Sequence, residues 1–443
     1  MVLRRDKKTK RKILTTEGYQ EYSRYRMFAV NTSEYPESVE KCISYYGSTT
    51  VYPMDIYLGV DKLPFRVSVD EALRIAKIGA TSSSYKAAAE RIKEDFEISI
   101  SDNEVREIVD YIGEIVLEND KQCTSQIIAT YNMASLRISK SGRRPKNGFV
   151  LYCQADGAMF NTRKGIDNTD TTVENNKPST YKENKLGLVF RNTDLINTGK
   201  VDENGLPVYR LGNREYIATT KGVDVFRERL VYLLMKNGMA DANDVVLISD
   251  GASWIRKTRE KFFPNATQIL DLFHLKENIM SFSQYVFKNK ADEYIPWWKS
   301  VCKQIEEGKW KEVLARPEVA VYKDKDSEEN KLRNGIVNLY SYIWNNRDYI
   351  DYPTYKEKGY FVGSGAIESG NKSVLQTRLK LSGMMWYLDS AEMLIALRSK
   401  LKSDLWESEV VPLVRLEYSK RHTVKDSVRD KQRKKHSHRK RSD

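Results

Sequence analysis

The sequence predicts a mixed α/β protein in which a helical unit precedes a sheet domain, and a helical segment interrupts that sheet domain. Three observations predict it. Residues 66 to 118 combine capping motifs with apolar residues at helical spacing. From residue 149, three strand-like runs are followed by strand–helix alternation, the pattern of a mixed sheet. Residues 275 to 360 then lose the strand signal and carry Trp297, Trp298, Trp310 and Trp344 in helix-like sequence. A chain of 443 residues has room for about two or three domains.

The elements follow in order. Residues 1 to 65 read as a basic arm (MVLRRDKKTKRK) and a small Tyr-rich region of short strands and loops. Residues 66 to 145 read as a helical, helix-turn-helix-like domain. Ser68 with Glu71, and Ser101 with Glu104, fit the capping box, and Val105, Ile108, Val109, Ile112 and Val116 repeat at helical spacing. The last helix carries Asp102, Glu104, Glu107, Asp110 and Glu114 against Arg106 alone. Phosphates repel such a face, so packing or dimerisation explains the unit as well as DNA contact does. SGRRPKNG (141 to 148) is a turn-rich linker.

Residues 146 to 274 form the first part of the sheet domain. FVLYCQA, LGLVF and Tyr216 to Thr220 are strands; FRERLVYLLMKNG is an amphipathic helix; DVVLISDG is a strand buried on both faces. SWIRKTREKFF and TQIL add a helix and a strand. Residues 275 to 360 are the helical insertion, and 361 to 405 the second part of the core, with a glycine-spaced helix start and the helix SAEMLIALRSKL. Residues 406 to 443 are a basic tail.

Charge is concentrated at the two ends. The formal charge is +13; residues 1 to 12 supply +6 and residues 420 to 441 supply +9, which leaves −2 for the rest. Basic arms on a near-neutral body suit a polyanion, because each neutralised phosphate releases counterions; solvated tails that aid solubility are the plainer alternative. Cys42, Cys123, Cys153 and Cys302 form no CxxC pair, so neither a zinc ribbon nor a redox motif is supported, and reduced thiols in a cytoplasmic setting are expected. The basic start has no apolar stretch behind it to make a signal peptide, and no run reaches 18 apolar residues, so no membrane span is expected.

Three acids stand out. Strand alternation puts Asp156 on one face of FVLYCQAD with Val150, Tyr152 and Gln154. A carboxylate there is costly unless it is paired or binds a cation, although Asp-Gly is also a common turn pair. Asp250 ends a buried strand, where ligands sit in open α/β sheets, or it simply caps the next helix. Both acids read Asp-Gly-Ala after an apolar strand. Glu368, on a helix beginning near Ser364, adds a third. Carboxylates from two strands and a helix suit hard divalent cations, and two such ions activate an attacking oxygen and stabilise a leaving one at phosphorus. Of four histidines, three lie in the tail, which leaves His274 for a folded core.

ADGAMFNTR, LISDGASWIRKTREKFFPNATQILDLFHLKENI and FVGSGAIESGNKSVLQTRLKLSGMMW resemble the DDE transposases of bacterial insertion sequences, in particular families with a long N-terminal region, one of them catalogued as uncharacterised. The resemblance spans most of residues 10 to 400. It implies a ribonuclease-H-like catalytic core with a helical insertion, after a helix-turn-helix-like N-terminal domain. It implies that Asp156, Asp250 and Glu368 are the catalytic acids and bind Mg²⁺ or Mn²⁺, as two ions. Asp271-Leu272-Phe273-His274 resembles an Asp-x-x-His element of Mutator-like relatives, which gives Asp271 and His274 a supporting or DNA-contacting role; a hydrogen-bonded histidine at a strand end is the alternative.

Glu368 would then complete the metal site near a helix start. Asn371, Lys372, Arg378 and Lys380 would hold phosphates along the same helix, whereas without the other acids Glu368 and Lys372 would be an ordinary i,i+4 ion pair. The implied function is metal-dependent cleavage of double-stranded DNA at element ends and strand transfer into target DNA. A homodimer or larger synaptic assembly in a bacterial, nucleoid-associated setting is also implied. A catalytically silent, domesticated DNA-binding protein is the alternative. A two-carboxylate glycosidase would leave the basic ends without purpose.

Overall fold

The computed structural model describes residues 1–58, 60, 66–141, 148–163, 181–201, 207–323, 331–332 and 336–419, in two compact units. The first unit holds the residues up to Glu118 and those from Asp404 on; the second runs from Asn119 to Ser403. Residues 142–147 of the linker and the basic tail from 420 lie outside the described residues.

In the first unit, the basic run at 1 to 12 forms most of strand β1 (Leu3–Thr15), which pairs antiparallel with β2 (Gly18–Ala29). Gly18 takes a φ of +90°, a conformation glycine adopts without steric cost, and closes the turn. Helix α1 (Ser38–Tyr46), strand β3 (Thr50–Val51, paired with β2) and helix α2 (Pro53–Tyr57) follow. Asp55 of α2 is buried. Arg11 and Arg24 pair with its carboxylate, and the Tyr22 hydroxyl donates to it at 2.6 Å. A buried carboxylate without such partners would be costly, so this cluster fixes the hairpin on α2.

Helices α3 (Val69–Thr81), α4 (Tyr85–Phe96) and α5 (Asp102–Ser141) come next. Ser68 Oγ accepts from the Glu71 amide at 3.3 Å. Ser101 and Glu104 form the full capping box: Ser101 Oγ accepts the Glu104 amide at 3.2 Å and Glu104 accepts the Ser101 amide at 3.1 Å. Val105, Ile108, Val109, Ile112 and Val116 of α5 are buried. A side chain at Gly79 would meet Val109 at 2.6 Å, so α3 and α5 touch nearly backbone to side chain.

The second unit is built on a five-stranded mixed sheet. Its strands are β4 (Val150–Asn161), β5 (Tyr181–Arg191), β8 (Glu215–Thr219), β9 (Asp244–Ser249) and β10 (Thr267–Leu270), in the order β10-β9-β4-β5-β8. β4 is central, antiparallel to β5 and parallel to β9. The loop expected between the second and third strands contains a hairpin, β6 (Leu195–Val201) with β7 (Pro207–Leu211). Helix α6 (Val223–Lys236) connects β8 to β9, and α7 (Ser253–Phe262) connects β9 to β10. Leu151, Cys153 and Ala155 of β4 pack with Val189, Ile217 and Leu247 against Phe226, Leu230 and Leu234 of α6. The alternate residues Tyr152, Gln154 and Asp156 point the other way, toward the segment that carries Glu368.

After β10 the chain is helical: α8 (Leu272–Val286), α9 (Ala291–Glu306), α10 (Trp310–Ala315) and α11 (Pro317–Ala320). A two-residue ladder, β11 (Lys331–Leu332) with β12 (Ile336–Val337), interrupts this segment before α12 (Leu339–Asn346) and α13 (Tyr352–Glu357). The Glu368 helix begins as α14 (Gly365–Gly370), turns π-helical over Asn371–Gln376 and closes as α15 (Thr377–Leu379). α16 (Leu388–Lys402) lies against β8; α17 (Val411–Ser419) returns to the first unit. Among the described residues, no helix is long and apolar enough to cross a membrane.

Glu392 of α16 joins three elements. It accepts from Thr219 Oγ1 at 2.8 Å, the Thr220 amide at 2.6 Å and Oγ1 at 2.9 Å, and Arg229 of α6 at 2.9 Å. Glu392→Ala strands a buried guanidinium and several donors, so urea denaturation is expected to show a loss of about 3 kcal/mol, with Glu392→Gln recovering part of it.

Candidate active site

Asp156 sits inside β4, not at its end. The strand continues to Asn161, and Asp156 pairs in register with Leu186 of β5. Its Oδ1 accepts from the Gly157 amide at 2.7 Å, and its Oδ2 accepts from Asn371 Nδ2. Asp250 follows β9 on the parallel neighbour, where Ala252 N donates to its Oδ1 at 2.9 Å. The Tyr342 hydroxyl of α12 donates to the Asp250 carbonyl at 2.8 Å, so the helical insertion braces this turn. Gly251 has a φ of +88°, and a Cβ there would meet Asn346 at 2.9 Å.

Asp271 is fully buried and caps α8, accepting from the Phe273 amide at 2.6 Å and the His274 amide at 3.3 Å. Its other oxygen accepts from the Ser364 amide at 2.9 Å and from Ser364 Oγ. One carboxylate therefore fixes both the start of α8 and the start of the Glu368 helix. Gln154 of β4 adds a second clamp: its Nε2 donates to Gly363 O at 3.2 Å and its Oε1 accepts from the Ile367 amide at 2.9 Å. Close packing holds the same segment. A side chain at Gly363 would meet the Phe273 ring at 2.6 Å, and one at Gly370 would meet the Tyr216 ring at 2.6 Å. These two glycines admit protein neighbours.

Asp156, Asp250, His274 and Glu368 line one cleft, with Ala155, Ser364 and Ile367 between them. Ser364 Oγ lies 3.5 Å from Glu368 Oε1, and Glu368 is otherwise exposed. Donor atoms of Asp271, His274 and Glu368 all lie within 4.8 Å of one another. Burial pushes the Asp156 carboxyl above its ordinary range and the charge of Asp250 adds to this, against the lowering by Gly157, His274 and Asn371. Burial likewise raises Asp271, despite the amides that favour its charged form. Burial alone would lower His274. The hydrogen bond that His274 Nδ1 makes to the Glu277 carboxylate (3.1 Å) and the charges of Asp271, Glu277 and Asp250 outweigh it, and the imidazole is raised. The cleft thus gathers carboxylates in a partly dry setting, beside a histidine whose neighbours favour its charged form.

The other expected residues fall differently. Asn371 is buried and orients Asp156. Lys372 and Lys380 are exposed. Among the described residues Glu368 and Lys372 form no ion pair; the π-helical stretch from Asn371 changes the angle between successive residues, so the usual i,i+4 alignment does not hold there. Arg378 is 1% exposed, with its guanidinium 4.7 Å from the centre of the Trp386 ring. Arg398 of α16 donates to the carbonyls of Ser373 and Val374, both at 2.5 Å, which satisfies oxygens in the π-helical stretch. Burial and then the charge of Arg378 push Arg398 down to about 10. The clamps Gln154, Ser364 and Arg398 carried no motif; the one signal for Gln154 was its place two residues before Asp156 on the same strand face.

The profile of the uncharacterised protein family UPF0236 matches residues 44–402, most of the chain. The chain belongs to this family. No curated protein matches it. Among solved structures it is similar to the Drosophila P element transposase strand transfer complex, at 10% identity and a TM-score of 0.22, over 84% of this chain and 85% of that one. The family's matched span includes both parts of the sheet domain and all the residues that line the cleft.

Two outcomes are expected. Asp271→Asn puts an NH₂ where one carboxylate oxygen now accepts from two donors, so both of those donors lose their acceptor; chemical denaturation is expected to register about 2 kcal/mol of lost stability. Because the folded Asp156 carboxyl is raised, the folded state binds more protons than the unfolded one. Wild-type stability therefore falls as pH rises from the ordinary aspartate range through the raised value. In a chelator-containing buffer, the difference in unfolding midpoint between wild type and Asp156→Asn is expected to move in favour of the variant as pH rises from about 4 to 7.

Proposed function

We propose that this UPF0236 chain is a DDE-type transposase. On this reading it cuts DNA phosphodiesters at the ends of a mobile element and joins the freed 3′ ends to target DNA, on a ribonuclease-H-like core. One observation carries the reading: acids from three separate segments, Asp156 on β4, Asp250 after β9 and Glu368 on α14, face a single cleft. The order of the sheet supports it, since β4 pairs with β9 up to Gln154 and Ile248, two residues before Asp156 and Asp250.

The donor set suits hard divalent cations in kind, although the ligand atoms that already lie within 4.8 Å of one another are those of Asp271, His274 and Glu368. Asp156, Asp250 and Glu368 offer carboxylate oxygens, and Asp250 already raises Asp156 by repulsion that a cation would relieve. Those three acids would hold Mg²⁺ or Mn²⁺, as two ions, with His274 beside them. Bound there, such ions supply charge stabilisation at the attacking and leaving oxygens of an in-line displacement. The chain's own groups do the rest. Asn371 keeps Asp156 turned into the cleft. Asp271 and Ser364 fix the backbone from which Glu368 projects. His274, held by Glu277 in a raised state, is suited to bear a proton beside developing negative charge on phosphate. Lys372 on the Glu368 helix and Lys380 just past its end are exposed and would meet backbone phosphates.

The test is an excision assay with the gene and its flanking DNA as donor and the protein supplied in trans. Wild type is expected to mobilise the element in Mg²⁺ or Mn²⁺ and to stop on chelation. Asp250→Asn and Glu368→Gln are each expected to lose at least about 100-fold, the scale on which removing an electrostatic group from an active site is felt. Equal excision by wild type and Glu368→Gln would remove Glu368 from the chemistry. DNA binding without excision by any form would favour a silent DNA-binding protein.

A further inference from the structure

The β1–β2 hairpin sorts its charges by face. Over Leu3–Ala29 it carries nine Lys and Arg against three acids. On one face Arg11 and Arg24 are committed to the buried Asp55. Register puts Lys8 opposite Tyr25, Lys10 opposite Ser23 and Lys12 opposite Glu21, so these residues share the other face. The three lysines are exposed, and Tyr19 and Tyr25 of the same face are 58% and 41% exposed. Arg5 joins them past the irregularity between Arg5 and Lys8, its guanidinium 4.6 Å from the centre of the Tyr25 ring. Lys10 pairs with Glu21 at 2.8 Å, an exposed contact that water and salt exchange readily. Among the described residues neither Lys8 nor Lys12 forms an ion pair, although the charge of Lys12 acts on Glu21 across the strand pair.

On the Arg24 face Arg11 and Arg24 are held by Asp55 and Arg26 by Asp6, whereas Lys8, Lys10 and Lys12 all stand on the opposite face. Alternate strand residues stand about 6.8 Å apart, so Lys8, Lys10 and Lys12 form a straight row about 13 Å long. A two-stranded ribbon of this kind is narrow enough for the major groove of a duplex, about 12 Å wide. We propose that the Lys8–Lys10–Lys12 face of the β1–β2 hairpin docks on the phosphate backbone of double-stranded DNA. This rests on the DNA-directed reading above and names the surface that would hold the substrate. The adjacent α5, acidic in its first turns, is a poor candidate for that role.

The test compares the full chain with Lys8→Gln/Lys10→Gln/Lys12→Gln, using fluorescence anisotropy on a labelled random-sequence duplex across a salt series. Loss of three phosphate contacts is expected to weaken binding and flatten the slope of log K against log[salt] by about 2.7. Amine acetylation of wild type covers the case of a variant that folds poorly: duplex is expected to protect Lys8, Lys10 and Lys12. An unchanged slope, or no protection, overturns the surface; if wild type still excises DNA in that case, the transposase reading stands without it. A flattened slope in a protein that never cuts DNA keeps the surface and discards the transposase. Tighter binding to phosphatidylserine vesicles than to duplex, lost in the triple variant, overturns DNA as the partner.

Discussion

The cleft depends on one buried carboxylate. Asp271 accepts from two amides at the start of α8 and from the amide and hydroxyl of Ser364 at the start of the Glu368 helix. A fully buried acid is tolerable only when its oxygens are satisfied, and here four donors point at it from two segments that are 90 residues apart in sequence. His274 and Glu368 are both carried by backbone that this acid anchors. The helical insertion between them can therefore be long without loosening the site, because its two ends are tied at a single point. Gln154 repeats the device one layer down, with both ends of its amide bound to the Glu368 segment.

β4 shows how one strand serves a core and a site at once. Leu151, Cys153 and Ala155 fill the apolar layer under α6, while Tyr152, Gln154 and Asp156 build the opposite side. The period of two in a strand makes this division automatic, and a slip of one residue would bury Asp156 among leucines. Keeping several acids together in a half-dry cleft costs stability, as the raised Asp156 and Asp271 carboxyls record. A fold tolerates such a cost at a functional site when clamps elsewhere, such as Glu392 with Arg229 and the two threonines, hold the surrounding layers.

Much of this was legible in the sequence, for physical reasons that differ by element. The sheet strands were visible because each is an apolar run bounded by turn residues, and the caps at Ser68 and Ser101 because their chemistry is local. The acids Asp156, Asp250 and Glu368 could be named from their setting, and they line one cleft. The β1–β2 hairpin was not legible: β1 is polar from Arg4 to Lys12, so no apolar alternation marks it, and part of what holds it is a distant acid, Asp55. The roles of Asn371 and Arg378 depended on the π-helical stretch, which turns Asn371 onto Asp156 and Arg378 into the interior. Gln154 and Ser364 act only through long-range hydrogen bonds, and single residues of those types carry no pattern to find.

The central claim is that the three acids make one cation site. A calorimetric titration of Mn²⁺ into metal-free wild type, Asp250→Asn and Glu368→Gln tests it without reference to any DNA substrate. Saturable binding by wild type that is lost or weakened at least about tenfold in each variant is the expected result, since each removes a charged oxygen ligand from the same site. Equal binding by all three proteins would contradict the claim and leave the cleft as a cluster of acids held together for structural reasons alone.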